Sequence, residues 1–112
     1  MKTTLFLTII LAIFLVTSIA ISDQNKGAAT IVLKGGSIGN VSFPHHRHQN
    51  ALGDCNLCHA LFPQNEGSAE RLKAEGKLKK KEVMEQCRTC HRQKADKGER
   101  AGPTRCKGCH QK

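Results

Sequence analysis

One pattern, written three times, constrains this 112-residue chain more than anything else in it. It reads Cys55-Asn56-Leu57-Cys58-His59, Cys87-Arg88-Thr89-Cys90-His91 and Cys106-Lys107-Gly108-Cys109-His110, and it uses all six cysteines. Cys-x-x-Cys-His is the attachment pattern of c-type haem. Two thiols at that spacing reach the two vinyl groups on one edge of a porphyrin. The histidine that follows lies under the iron and coordinates it. A disulfide scaffold rarely places every cysteine in a Cys-x-x-Cys pair with histidine next to it. Zinc sites also use paired cysteines, but a histidine touching the second one is poorly placed as a further tetrahedral ligand. A thioredoxin-type redox pair would not recur three times without a strand–helix frame around it. The pattern points to three covalently attached haems c. Cys55, Cys58, Cys87, Cys90, Cys106 and Cys109 are the anchors, with His59, His91 and His110 as iron ligands.

The composition needs such a cofactor. The chain has no Trp, no Tyr and four Phe. Phe6 and Phe14 fall in the N-terminal apolar stretch, which leaves Phe43 and Phe62. Beyond residue 62 the branched aliphatics are Leu72, Leu78 and Val83. A chain so short and polar cannot build an ordinary hydrophobic core. Large sheet or barrel enzymes are excluded, and flat apolar rings must take the place of packed side chains.

The N-terminus predicts export. Met1-Lys2 opens with a positive charge, and Leu5 to Val16 is apolar but for Thr8. Small residues follow, and Ala20-Ile21-Ser22 fits a cleavage site. The expectation is a signal peptide over 1–22 and a triheme domain over 23–112, in the periplasm or at the cell surface. The rival is a retained anchor, which is short for a span of ~20 residues. Cleavage would leave 90 residues at a net charge of +8. Six propionates and three irons bring that to about +5 oxidised and +2 reduced. Export and the lack of an aromatic platform argue against nucleic acid as partner.

Each iron needs a second axial ligand. Three histidines lie outside the motifs, in Phe43-Pro44-His45-His46-Arg47-His48. Pro44 suits the first turn of a short helix. His45 and His48, three residues apart, then project from one side and can serve two adjacent haems. His46 points about 100° away from His45. It is either an iron ligand for the remaining haem or, in the bland reading, a solvent-facing or propionate-bonding imidazole. The third haem has Met84 as a candidate, three residues before Cys87, or an open position. The bland reading of Met84 is an apolar filler beside Val83.

Local signals predict a small, mostly coil α+β fold. Ile31–Leu33 and Val41–Phe43 flank a glycine-rich loop as a short hairpin. Pro63 to Gly67 forms a loop. Ser68 is expected to cap a helix that Gly76 ends. A second helix is expected from Leu78 to Gln86.

On these residues the chain resembles the triheme cytochrome c7 family, class III cytochromes c related to cytochrome c3. The matching pieces are Ala29–Lys34, Val41–His48, the three haem motifs and Gly102–Cys106, over about residues 28–62 and 83–112. The resemblance implies a class III multihaem fold: a short N-terminal β-hairpin and a few short helices wrapped around three haems. It implies that His45 pairs with His59 and His48 with His91. The family usually places a histidine just upstream of the second motif; here Met84 stands in about that place, as a partner for His110. The segment from Pro63 to Glu82 looks longer than the family norm. The implied role is a periplasmic electron carrier, a non-enzyme, between inner-membrane donors and outer-membrane or terminal acceptors, reaching toward metal oxides. A monomer is expected, with acidic redox proteins or other multihaem cytochromes as partners. The dense Lys77-Leu78-Lys79-Lys80-Lys81 run is either a solvated face or a docking patch. The alternative function is a third haem with an open coordination position, acting as a small-ligand sensor or reductase site.

Overall fold

The computed structural model describes residues 26–112. The expected signal segment, 1–22, lies outside the described residues. The hairpin forms where the β-branched residues predicted it. β1 (Ile31–Leu33) pairs antiparallel with β2 (Asn40–Phe43), with Ile31 opposite Phe43 and Leu33 opposite Val41. The glycine-rich connection holds one 3₁₀ turn, Gly36–Ile38. A third strand, β3 (His110–Gln111), adds to the other edge of β2, with Val41 opposite His110. Two residues are too few to show a period in sequence, so β3 was not expected. It closes the chain's last motif onto its first strands.

α1 (His45–Leu52) starts directly after Pro44. It ends at Gly53, whose N–H still bonds the Gln49 carbonyl and whose φ of 68° turns the chain out of the helix. α2 (Asn56–His59) is a single turn carrying the first motif. Its first N–H is met by the Asp54 carboxylate at 2.9 Å. α3 (Ser68–Ala74) follows a loop. Ser68 is not the cap: it is the first helical residue, buried, and its hydroxyl donates to the Pro63 carbonyl at 2.7 Å. Gly76, at φ 71°, ends the helix as expected.

The next helix differs from expectation. α4 runs Glu82–Asp96, fifteen residues, straight through the second motif. It starts at Glu82 because Glu82 and Lys79 close a turn. The Glu82 carboxylate accepts the Lys79 N–H at 3.0 Å, and the Lys79 carbonyl accepts the Glu82 N–H at 3.1 Å. Leu78 is left outside the helix, held by its N–H on the Leu72 carbonyl at 3.1 Å. α5 (Cys106–Cys109) carries the third motif and leads into β3.

The polypeptide's own core is small and lies away from the strands. Ala69, Leu78 and Val83 are buried, and Leu61, Phe62, Leu72 and Cys87 pack against them. Among the described residues no side chain is fully enclosed. Around the three motifs the side chains are half-buried or exposed. That is the core deficit expected of a chain whose interior is a cofactor.

Candidate functional site

All six cysteines are free thiols. Among the described residues no three His, Cys, Asp or Glu side chains gather into a cage for a bare ion. The thiols nonetheless converge. Burial pushes the Cys58 thiol up from its ordinary range, helped by Cys90 and Cys55. Burial also pushes up Cys87, helped chiefly by Cys58 and Cys109. The three motifs therefore lie within electrostatic reach of one another. α4 is the shared scaffold. Gln86 donates to the Leu57 carbonyl of the first motif at 2.8 Å. Arg88 donates to the Thr104 carbonyl, just before the third motif, at 3.1 Å.

The histidines divide by which ring nitrogen is engaged. A carbonyl can only accept, so the ring nitrogen facing one carries the proton. In His45, Nδ1 donates to Ala28 at 3.1 Å; in His48, to Pro44 at 3.0 Å. In His59, Nδ1 donates to Phe62 at 3.2 Å; in His91, to Pro103 at 2.8 Å. In His110, it donates to Gly39 at 2.8 Å. Among the described residues this leaves the Nε2 lone pair free in all five, the tautomer and orientation a metal-ligating imidazole needs. His46 is the exception: its Nε2 donates to Gly27 at 3.0 Å. The five with a free Nε2 are the five histidines the sequence singled out.

They also meet in pairs. The rings of His45 and His59 lie 6.2 Å apart between centroids, at 84° to each other. Those of His48 and His91 lie 6.1 Å apart, at 25°. An iron held by two imidazoles at about 2 Å each would need roughly this separation; His46 lies as close to His45, at 6.1 Å, but its Nε2 is engaged. Phe43 is packed on this arrangement, 4.3 Å from His48 and 6.0 Å from His45. Phe62 meets His59 edge-on at 5.3 Å. The two aromatics left to the described chain are thus both spent on candidate ligands.

The third motif differs. His110 borders an open cleft of about 480 Å³, lined with Ile38, Cys106, Lys107 and Lys112. Met84 is not among those lining residues. It lies half-buried on α4, and it is not packed on the Val83 cluster. Seven residues before His91, it shares that residue's side of the helix two turns away.

The carbonyl acceptors are the part of the site that sequence reasoning missed. Ala28, Pro44, Phe62, Pro103 and Gly39 act through backbone atoms that every residue owns. One of their neighbours leaves a trace. A side chain at Gly102 would place its Cβ 2.5 Å from His91 Cε1, so glycine is required there.

The free thiol pairs and the freed Nε2 atoms fit haem c. Comparison with known proteins agrees. Residues 41–111 match the family described as cytochrome c7 and related cytochrome c. A cytochrome c7 from Geobacter metallireducens is 35% identical over 74 residues, which is 66% of this chain and 67% of that one. A cytochrome c3 from Desulfuromonas acetoxidans is 34% identical over 82 residues, 73% of this chain and 97% of that one. Among solved structures, the triheme cytochrome PpcA from Geobacter sulfurreducens is 35% identical, over 76% of this chain and 100% of that one, with a TM-score of 0.47. PpcC, a cytochrome c7 from the same organism, is 30% identical, over 76% and 99%, with a TM-score of 0.48. With its match to the family across most of the described residues, the chain belongs to the cytochrome c7 family of multihaem electron-transfer proteins and carries three covalently bound c-type haems.

Proposed function

We propose that this protein is an exported, periplasmic electron carrier whose three haems are each six-coordinate. Cys55 and Cys58, Cys87 and Cys90, and Cys106 and Cys109 hold the three rings by thioether bonds. His59 and His45 are the axial pair of the first, His91 and His48 of the second, and His110 and Met84 of the third. The observation that carries this reading is the shared hydrogen-bond pattern of the five histidines, which frees Nε2 in each. The two ring pairs at 6.2 and 6.1 Å support the first two assignments. Each bound haem supplies a one-electron ferric–ferrous couple. The chain's part is to hold strong ligands on both sides, so that little rearranges when an electron passes.

The exposed lysines are the docking surface of this reading. Lys79, Lys80 and Lys81 are exposed, and the buried Leu78 pins the turn that displays them. Lys77 is partly offset by Glu75 at 2.8 Å. Cys87 packs against the cluster that holds Leu78, so the turn that displays the patch is anchored beside the second haem's attachment site. An acidic redox protein, such as another multihaem cytochrome on the route to outer-membrane or mineral acceptors, fits this surface.

Met84→Ala tests the least supported assignment. Thioether ligation raises a haem's potential relative to imidazole. The substitution should lower one potential of the holoprotein and leave two in place. Three unchanged potentials would remove Met84 from the ligand set. The open cleft beside His110 favours a second reading, in which the third iron keeps a free position for a small ligand. Carbon monoxide binding to the untreated reduced protein would select it.

A further inference from the structure

The segment just before β1 makes an unusual set of contacts. Four consecutive carbonyls each accept a hydrogen bond from the first turns of α1. Lys26 accepts from Gln49 Nε2 at 2.9 Å, and Gly27 from His46 Nε2 at 3.0 Å. Ala28 accepts from His45 Nδ1 at 3.1 Å, and Ala29 from the His46 backbone N–H at 3.2 Å. The geometry follows from the hairpin. Ile31 is the partner of Phe43, so the chain before it continues antiparallel alongside residues 44–46. The N-terminus of α1 has no side-chain cap. Its exposed N–H groups need acceptors, and this segment supplies one of them. Gly27 sits at φ 73°, a conformation that other residues adopt only with strain.

We propose that residues 26–29 form a strap that positions His45 and thereby sets the properties of the first haem. The inference rests on the axial pairing of His45 with His59 given above. A hydrogen bond at Nδ1 strengthens a ligating imidazole as a donor and fixes its plane. Ala28 does this for His45, and the bonds to Lys26, Gly27 and Ala29 hold Ala28 in register. His46 and Gln49 are thus positioning residues that need not touch the iron. This also gives His46 a role without ligation.

The test uses two variants of the holoprotein, His46→Ala/Gln49→Ala and Gly27→Val, neither of which removes a residue of the proposed ligand set. Imidazole planes crossed at a steep angle leave the ferric d orbitals nearly degenerate and give a strongly axial electron paramagnetic resonance signal. Nearly parallel planes give a rhombic one. The His45–His59 pair, at 84°, predicts the axial type, and the His48–His91 pair, at 25°, the rhombic type. In both variants the axial signal should move while the rhombic signal stays. The ferric–ferrous balance of that one haem should shift toward ferrous by about 2- to 10-fold, the worth of one net hydrogen bond. Faster exchange of the backbone amide at position 46, which bonds the Ala29 carbonyl, shows that the strap has been released. Release with an unchanged axial signal and three unchanged potentials would overturn the proposal. A companion variant, His45→Ala, separates the underlying pairing. It should leave one haem high-spin, and three low-spin haems would overturn the pairing and the strap with it.

Discussion

A histidine offers an iron one of two nitrogens, and the backbone decides which. Five rings in this protein have Nδ1 tied to a carbonyl, and His46 is tied the other way. The choice is made by short local paths in some cases, as with Pro44 for His48 and Phe62 for His59. In others it needs a distant segment, as with Gly39 for His110, 71 residues away. The residue types of the site were legible because covalent attachment and iron ligation demand cysteine and histidine at fixed spacings. The acceptors were not, since any residue supplies a carbonyl. Gly102 and Gly35 are exceptions, since a Cβ at either would fall 2.5 Å from the His91 or the His110 ring, and Gly102 yields a prediction. Gly102→Ala should push the His91 ring off its Pro103 bond and shift one haem's potential, with the haem count unchanged. Potentiometric titration of the variant beside the parent protein checks this.

At the scale of elements, α4 organises the site. Its fifteen residues carry the second motif and Met84, and reach the approaches to the first and third motifs through Gln86 and Arg88. The expected helix ended at Gln86 because the motif reads locally as a haem pattern and hides its helical continuation. The hairpin was legible from its β-branched residues, whereas β3 is too short to leave a pattern. The segment from Pro63 to Glu82 carries the small polypeptide core, with Leu78 at its centre. Leu78→Ala should cost about 2–5 kcal/mol of stability by opening a cavity there. Denaturant unfolding of the holoprotein measures it. The potential of the third haem should be unaffected, since the cluster reaches the site through Cys87 of the second motif and through Phe62, which packs on His59 of the first.

For the whole molecule, charge and core are answers to the same shortage. The described chain buries little of its own apolar surface, so the haem rings must serve as its interior. The basic excess, +9 for the polypeptide before propionates and irons are counted, then acts on association. At 0.1 M salt, fields between exposed charges fade over about 10 Å. Changing Lys79, Lys80 and Lys81 together to Glu should therefore slow electron delivery to an acidic multihaem cytochrome at low ionic strength. The difference should vanish as salt is raised, with the haem potentials little changed. Stopped-flow kinetics across a salt series shows whether it does.

The proposed ligation fills both axial positions on each of three haems in one small domain. The most direct test is the spectrum of the fully oxidised holoprotein, by low-temperature electron paramagnetic resonance together with near-infrared absorption. Three low-spin ferric haems are predicted: one strongly axial, one rhombic, and one with a methionine–iron charge-transfer band. A high-spin ferric signal from one haem, with no methionine band, would contradict the account and turn the cleft beside His110 into a ligand-binding site.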